Sequence, residues 1–491
     1  MRKVIILSLF MMVVTGGVPH HIYGDMSGHP RDMSFTPLTF APPKGDRITL
    51  NNGMVLYVLE DQELPLFNLS AVIRTGSIYD PTERVGLAQL TGKVMRTGGT
   101  KLMEPDEIND QLEYIAGSVE IGIGRESGSA SLSVMKKDID FGLKIFSDIL
   151  MNPRFDQSKL DLAKKQKIEA IRRRNDNPSD IAFREFRRVL YKGNPRGRIS
   201  TFESINAITR QDLIEFHDKF FRPGNMLFAV SGDFKKDVII KKLEQTFQGW
   251  RKSPVSITEA PLPEYSLKRS IHYAFKDVSQ STIVLGHLAV SKTDPDYYPF
   301  TVLNFILGGG GFNSRLTSEI RSNRGLAYSV GSFYRGDVEY GVFAAICMTK
   351  SSTTYQAISL IEKIITETKE NGVTEEELTW AKESIINKFI FTFTSSASVV
   401  NQQMWLEYDK LPDDYLQKYQ ENVSLVTHED IRRVAKKYLH PDKSLFVIVG
   451  NGEAFDKPLS LLGEVTEIEL KNTDESEAEV EIRNRKSTSD K

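Results

Sequence analysis

"AITRQDLIEFHDKFFRPGNMLFAVSGDF", residues 207–234, aligns without a gap on "LVTHEDIRRVAKKYLHPDKSLFVIVGNG", residues 425–452. At a constant offset of 218, Thr209 falls on Thr427, Asp212 on Asp430, Pro223 on Pro441, Leu227 on Leu445 and Gly232 on Gly450. Each copy carries the same physical signals. Thr209 and Thr427 precede carboxylates in a first helical turn, apolar residues then recur at spacings of three and four, and the prolines end the helix. "MLFAVSG" and "LFVIVG" follow as apolar runs that read as buried strands closing on glycine. A repeat of this kind makes the chain two copies of one structural unit.

The same offset relates "FDQSKLDLAKK", starting at Phe155, to "VTEEELTWAKE", starting at Val373, so the duplication extends over most of each half. Residues 45–255 form one predicted domain and residues 265–470 the other, joined by a linker at 256–264 within the Pro-containing stretch "PVSITEAPLPEYS". Within the first copy, strand signals come first. "RITLNNGMVLYVLED" reads as a hairpin turning at Asn51-Asn52-Gly53, "LFNLSAVIRTGS" as a strand, and "SGSASLSVMKK" alternates apolar and polar residues. Helical patterns follow at residues 141–151, 158–174 and 179–190. Strand hairpins beside grouped helices predict an α+β fold, not a parallel doubly wound sheet.

Composition narrows the function classes. The chain has 491 residues, 40% hydrophobic and 26% charged, with a formal net charge of −2, which gives no global attraction to nucleic acid or acidic membrane. The basic run "KKQKIEAIRRR", residues 164–174, sits in a helical pattern and is read as a solvated helix face. Arg2 and Lys3 precede "VIILSLFMMVV", too short to span a bilayer and followed by Gly, Pro and polar residues. Residues 1–24 are therefore read as a signal peptide and 25–44 as an N-terminal extension, which makes the protein exported, periplasmic or secreted, with no integral membrane segment after signal removal. Cys347 is the single cysteine, so no intrachain disulfide forms. Residues 471–491, "KNTDESEAEVEIRNRKSTSDK", are charged and nearly free of aromatic residues, and are read as a disordered tail.

Several stretches carry a family resemblance. They are "RTGSIYDPTERVGLAQL", "GGT", "ILMNPRF", "RNDNPSD", "YKGNPRGR" and "RPGNMLFAVSGDF" in the first half, and "ILGGGGFNSRLTSEIRSNRGLAYSVGS" in the second. Over about residues 45–470 the chain resembles the two-domain bacterial members of the M16 (insulinase or pitrilysin-like) zinc peptidase family, related to mitochondrial processing peptidase. The resemblance implies that each half is an antiparallel sheet backed by helices, and that the halves form a clamshell around a peptide.

Active members of that family carry H-x-x-E-H on the helix after the G-x-A element. Two histidines four apart lie on one helical face and share a zinc, while the glutamate activates the metal-bound water. Here the five positions are Gln89, Leu90, Thr91, Gly92 and Lys93. Both histidines and the base are absent, and Lys93 puts a cation where a dication would sit. Glu169, 76 residues beyond Lys93, falls where the third ligand is expected. It is either a relic of the site or a helical ion-pair partner of Lys165 or Arg173. His20, His21, His29, His217, His272, His287, His428 and His440 include no pair at four-residue spacing, so no second helical zinc motif exists. The expectation is that this chain alone binds no cofactor.

In the second half, Arg321 and Tyr328 are seven residues apart, matching the family's Arg/Tyr pair, which grips the substrate backbone and stabilises the developing oxyanion. Spacing alone reads them as an exposed helix Arg and a half-buried strand Tyr. Gly308, Gly309, Gly310 and Gly311 resemble the glycine-rich segment of the non-catalytic processing peptidase subunit, the alternative being a flexible turn; no G-K-[ST] follows, so this is no phosphate loop. Together the resemblance implies a non-catalytic, substrate-binding subunit whose zinc-bearing partner carries H-x-x-E-H. Peptide substrates would add along a sheet edge such as "GSVEIGIG", residues 117–124. The alternatives are an inactive scaffold and a standalone peptide-binding or chaperone-like protein.

Overall fold

The computed structural model describes residues 40–250, 257–264 and 267–470. The signal peptide, nearly all of the N-terminal extension, the first residue of the linker and the charged tail read from the sequence lie outside those residues.

The first half opens with β1 (Asp46–Thr49), β2 (Val55–Glu60) and β3 (Leu66–Ile73), then α1 (Leu87–Thr97) and α2 (Pro105–Tyr114). The hairpin β4 (Ser118–Ile123) and β5 (Gly128–Met135) leads into α3 (Ile139–Met151), α4 (Gln157–Arg172), α5 (Pro178–Leu190), α6 (Phe202–Ala207) and α7 (Arg210–Phe220). Last come β6 (Met226–Gly232) and α8 (Lys236–Thr246). The second half runs β7 (Ser270–Phe275), β8 (Gln280–Ala289), α9 (Tyr297–Asn304), β9 (Ala327–Gly336) and β10 (Gly341–Lys350). It continues with α10 (Thr354–Asn371), α11 (Glu375–Ile390), α12 (Ser396–Tyr408), α13 (Tyr415–Ser424), α14 (His428–Tyr438), β11 (Leu445–Gly450) and β12 (Val465–Glu467).

The strands form two six-stranded sheets, ordered β1-β2-β6-β3-β5-β4 and β12-β7-β11-β8-β10-β9. Most neighbours are antiparallel, as the family resemblance implies. The exceptions are β2 with β6, β7 with β11 and β7 with β12, which run parallel. A parallel neighbour needs a crossover, and the block from α3 to α7 supplies it before β6 enters between β2 and β3. The β1–β2 hairpin turns where expected, with Gly53 at φ 86°.

The repeat is reproduced element by element. α4 and α11, α5 and α12, and α7 and α14 have boundaries that coincide at the offset of 218. α7 and α14 begin with the same reciprocal cap: the Thr209 and Thr427 side chains accept from the Asp212 and Asp430 amides, and each carboxylate accepts from the threonine amide.

Each half lends one helix to the other. Ile181, Ala182 and Phe186 of α5 pack with Ala274, Val284, Val447 and Val449 on the second sheet. Val400 and Met404 of α12 pack with Tyr57, Val72, Leu227 and Ala229 on the first. The opposite face of each sheet is covered by its own half's helices, in the two large cores. Every residue of β6 and β11 is buried as a result. Covering on both faces explains why these strands read as continuous apolar runs instead of alternating. A polar seam flanks the α12 contact: Arg47 holds both Glu407 carboxylate oxygens, at 2.7 and 2.8 Å, and Gly45 N–H donates to Gln403 Oε1 at 2.7 Å. No helix among the described residues is long and apolar enough to cross a membrane.

Candidate functional site

The helix that occupies the zinc-motif position is α1. It starts at Gly86, whose φ of 115° is left-handed, and the Asp80 carboxylate accepts from the Gly86 and Ala88 amides at 2.8 and 2.9 Å. Burial pushes the Asp80 carboxyl up to about 6 against the pull of these amides. Leu87, Ala88, Leu90, Val94 and Met95 face the core, whereas Gln89 and Lys93 lie on the exposed face, one turn apart. Gly92 is buried against the sheet edge: a Cβ placed on it would stand 3.1 Å from the backbone nitrogen of Ile123 on β4. The missing side chain at this position therefore lets α1 lie close to the edge strand.

Zinc does not suit this donor set. Gln89 Oε1 accepts a 2.6 Å bond from the Lys167 ammonium of α4, so its oxygen already faces a cation. Lys93 supplies a second positive charge and no lone pair at neutral pH. Glu169 is half exposed and pairs with Arg172, three residues on. The partner is thus neither Lys165 nor Arg173, because the shorter i,i+3 reach on α4 is taken first. Among the described residues no three His, Cys, Asp or Glu side chains converge on a metal position.

The basic run 164–174 is only partly the solvated face that its helical pattern predicts. Lys165, Arg172 and Arg173 are exposed, but Lys164 turns inward to the Asn206 and Ile208 carbonyls, and Lys167 and Arg174 line a pocket beside Gln89.

The second half presents a different arrangement. α9 continues into a π-helical turn, Phe305–Gly309, and a second π-helical turn, Thr317–Asn323, carries Arg321. The Arg321 guanidinium lies 4.8 Å from the Phe312 ring centroid and 5.5 Å from that of Tyr328. Both rings are exposed, Phe312 at 65% and Tyr328 at 75%, so Tyr328 is not the half-buried strand residue that spacing alone suggests. The cause is a β-bulge. Ser329 pairs with Met348 and Ala327 with Thr349, which leaves Tyr328 as an extra residue on β9, turned out of the ladder beside Arg321.

The glycine run shapes the same place. A Cβ on Gly308 would lie 2.3 Å from the Ser332 backbone nitrogen, so only glycine permits this turn to press on β9. A Cβ on Gly310 would come equally close to the Trp380 ring, and Gly311 has φ 70°. The turn is packed at Gly308 and Gly310 and exposed at Gly309 and Gly311. Phe312 completes the cation–aromatic stack, and sequence reasoning passed over it; its only signal was an aromatic residue directly after four glycines.

Both arrangements occupy corresponding positions, each beside the outermost strand of its sheet, β4 in one half and β9 in the other. β4 alternates exposed and buried residues, with Val119, Ile121 and Ile123 inward, and pairs on one side only, with β5. The Val119 carbonyl accepts from Arg96 Nε at 2.5 Å, and the side of β4 away from β5 is the edge proposed from the sequence to take an added peptide. No contact among the described residues joins Gln89, Lys93 or Glu169 to Arg321 or Tyr328.

Comparison with known proteins accounts for both halves. The family described as "Insulinase (Peptidase family M16)" matches residues 58–201, and the one described as "Peptidase M16 inactive domain" matches residues 207–385. The Non-peptidase homolog YmxG of Helicobacter pylori is 26% identical over 408 residues, 82% of this chain and 93% of that protein. The Uncharacterized zinc protease YmxG of Bacillus subtilis is 23% identical, over 83% of this chain and 98% of its own length. Among solved structures, the peptidase M16 inactive domain from Pseudomonas fluorescens superposes with a TM-score of 0.78 at 27% identity, covering 85% of this chain and all of that one.

Proposed function

The chain belongs to the M16 peptidase family, and from that premise we propose that it is the non-catalytic, substrate-binding subunit of a heteromeric zinc peptidase. The observation that carries this reading is an asymmetry between its two halves. The helix that would hold zinc has lost its ligands, and Lys167 occupies the remaining side-chain oxygen. The second half nonetheless keeps Arg321 and Tyr328 together, with Tyr328 turned outward by a bulge and left exposed.

In this reading a partner chain carries H-x-x-E-H and its zinc. This chain completes the chamber, takes an extended peptide along a sheet edge such as β4, and offers the Arg321 guanidinium and Tyr328 hydroxyl to the developing oxyanion. Donors aimed at developing charge act on the transition state more than on the bound peptide. The apolar run after Arg2 and Lys3 supports export, to the periplasm or beyond, which would place partner and substrates there as well. The printed name of the Helicobacter pylori relative, a non-peptidase homolog, favours a second reading, in which the clamshell is an inactive peptide-binding scaffold.

Native co-purification separates the two. The subunit reading expects a second M16 chain with an intact zinc motif, and chelator-sensitive peptide cleavage that neither chain shows alone. Replacing Arg321 by Ala and Tyr328 by Phe together should lower turnover of the assembled pair on the order of 10²-fold or more, with assembly intact. Unchanged turnover in that double variant would remove the proposed role of the pair, and recovery of no zinc-bearing chain would favour the scaffold.

A further inference from the structure

Beside α1, where other family members place a dication, this chain builds a pocket of the opposite electrostatic character. It encloses about 210 Å³ and is lined by Lys167, Arg174, Arg184, Arg187 and Arg198 together with Gln89. No carboxylate lines it. The nearby acids are committed elsewhere. Asp80 spends both oxygens on the Gly86 and Ala88 amides, and Glu185 is held between Arg184 and Arg188. Arg184 also donates to the Arg174 carbonyl and to Asn175 Oδ1. Arg198 donates to the Asp80 carbonyl and Arg174 to the Ser200 carbonyl, both neutral acceptors, while the Asp80 carboxylate attracts Arg198, and those of Glu185 and Glu203 attract Arg174, from outside the pocket lining.

Arg187 is the most telling member. Its Nε is buried and has no hydrogen-bond partner, and its guanidinium forms no ion pair among the described residues. Burial and the neighbouring charges of Arg125 and Arg184 depress its pKa, and burial does the same to Lys167 and Arg174. A guanidinium keeps its charge under these conditions, so the cations repel one another at close range in a partly dry site. Buried polar groups are ordinarily paired, and a planar fork of N–H donors left open in a cationic pocket matches the oxygens of a carboxylate or phosphate.

We infer that this pocket binds an oxyanion, a carboxylate or phosphate group, held by Arg187 and Lys167 beside Gln89, the first position of the family's metal motif. Two sources supply that chemistry: the C-terminal carboxylate of a bound peptide, or free phosphate. The inference reaches beyond the subunit reading and does not require a partner chain.

The test is isothermal titration calorimetry on the full chain in a phosphate- and sulfate-free buffer. The probes are inorganic phosphate and two peptides of identical sequence, one ending in a carboxylate and the other in a carboxamide. Phosphate is expected to saturate the pocket, and R187M and K167M to weaken it at least tenfold, while R187K retains more of the affinity. R187M should melt no lower than the parent protein in the absence of anion, because it removes repulsion and breaks no bond, and K167M provides an independent variant should R187M misfold. A carboxylate peptide that binds at least tenfold better than its carboxamide, with the preference lost in R187M, identifies the peptide terminus as the source. Equal binding of the two peptides beside saturable phosphate identifies the free anion. Failure of phosphate to bind, or equal binding by R187M and K167M, overturns the inference. That result leaves the subunit reading standing, since it rests on Arg321 and Tyr328.

Discussion

His287 lies on β8 with its ring beside Phe343 and His440, its Nδ1–H donating to the Leu288 carbonyl and its Nε2 buried without a partner. Burial pushes its pKa down to about 4. The unfolded chain takes up a proton near pH 6.5 and the folded one does not, so this site's contribution is complete above pH 6.5 and is lost as pH falls toward 4. The loss amounts to about 3 kcal/mol across that window. Between pH 7 and pH 4 the native protein should therefore lose about that much more stability in urea titrations than H287Q, whatever fixed cost the substitution carries. Parallel pH dependence of the two proteins would show that His287 is not held neutral. At this scale the sequence was a good guide to identity and a poor one to partnership. The loss of the zinc ligands is plain in Gln89, Gly92 and Lys93, because it depends on residue type alone. That Lys167 bonds Gln89 depends on side-chain directions on two helices far apart in sequence, and that Glu169 turns to Arg172 depends on which of several basic neighbours on one helix it reaches.

Close backbone approach at the sheet edge shapes the candidate site. The π-helical turn Phe305–Gly309 can approach β9 only because residue 308 has no side chain. Gly308→Ala should cost about 1–3 kcal/mol in thermal or chemical denaturation, as overpacking does, and should disturb the bulge that presents Tyr328. Wild-type stability in that variant would mean the turn is free to retreat. The reciprocal caps of α7 and α14 give a contrasting expectation. Thr209→Ala and Thr427→Ala should each cost about 1 kcal/mol and add in the double variant, since they lie in separate halves. The caps were legible because capping is local: a threonine, a carboxylate three residues on and a following apolar period suffice. The bulge was not, because it arises from the register of β9 against β10, and nothing in "GLAYSV" shows which residue is the extra one. The same limit applies to the parallel pairing of β6, which depends on the crossover that precedes it.

For the whole molecule, the repeat foretold two like halves but not the exchange of α5 and α12 between them. Periodicity marks α5 as amphipathic without saying which sheet it covers, and α12 carries no such apolar stripe in its sequence. The exchange makes the halves interdependent. Produced separately, residues 40–250 and residues 267–470 should each expose the apolar sheet face that the other's helix covers, and so aggregate or remain poorly ordered. Produced together, they should reassociate into one complex on size-exclusion chromatography, held without the linker. Two well-behaved monomers would contradict this. A consequence follows for how the chain is made. By the time Gly232 completes the first sheet, the helix that covers Tyr57, Val72, Leu227 and Ala229 is not yet synthesised, and it ends only at Tyr408. At ordinary ribosomal speeds that interval lasts roughly ten to thirty-five seconds. For that time a finished apolar sheet face stands uncovered on the nascent chain, before the protein's own helix arrives.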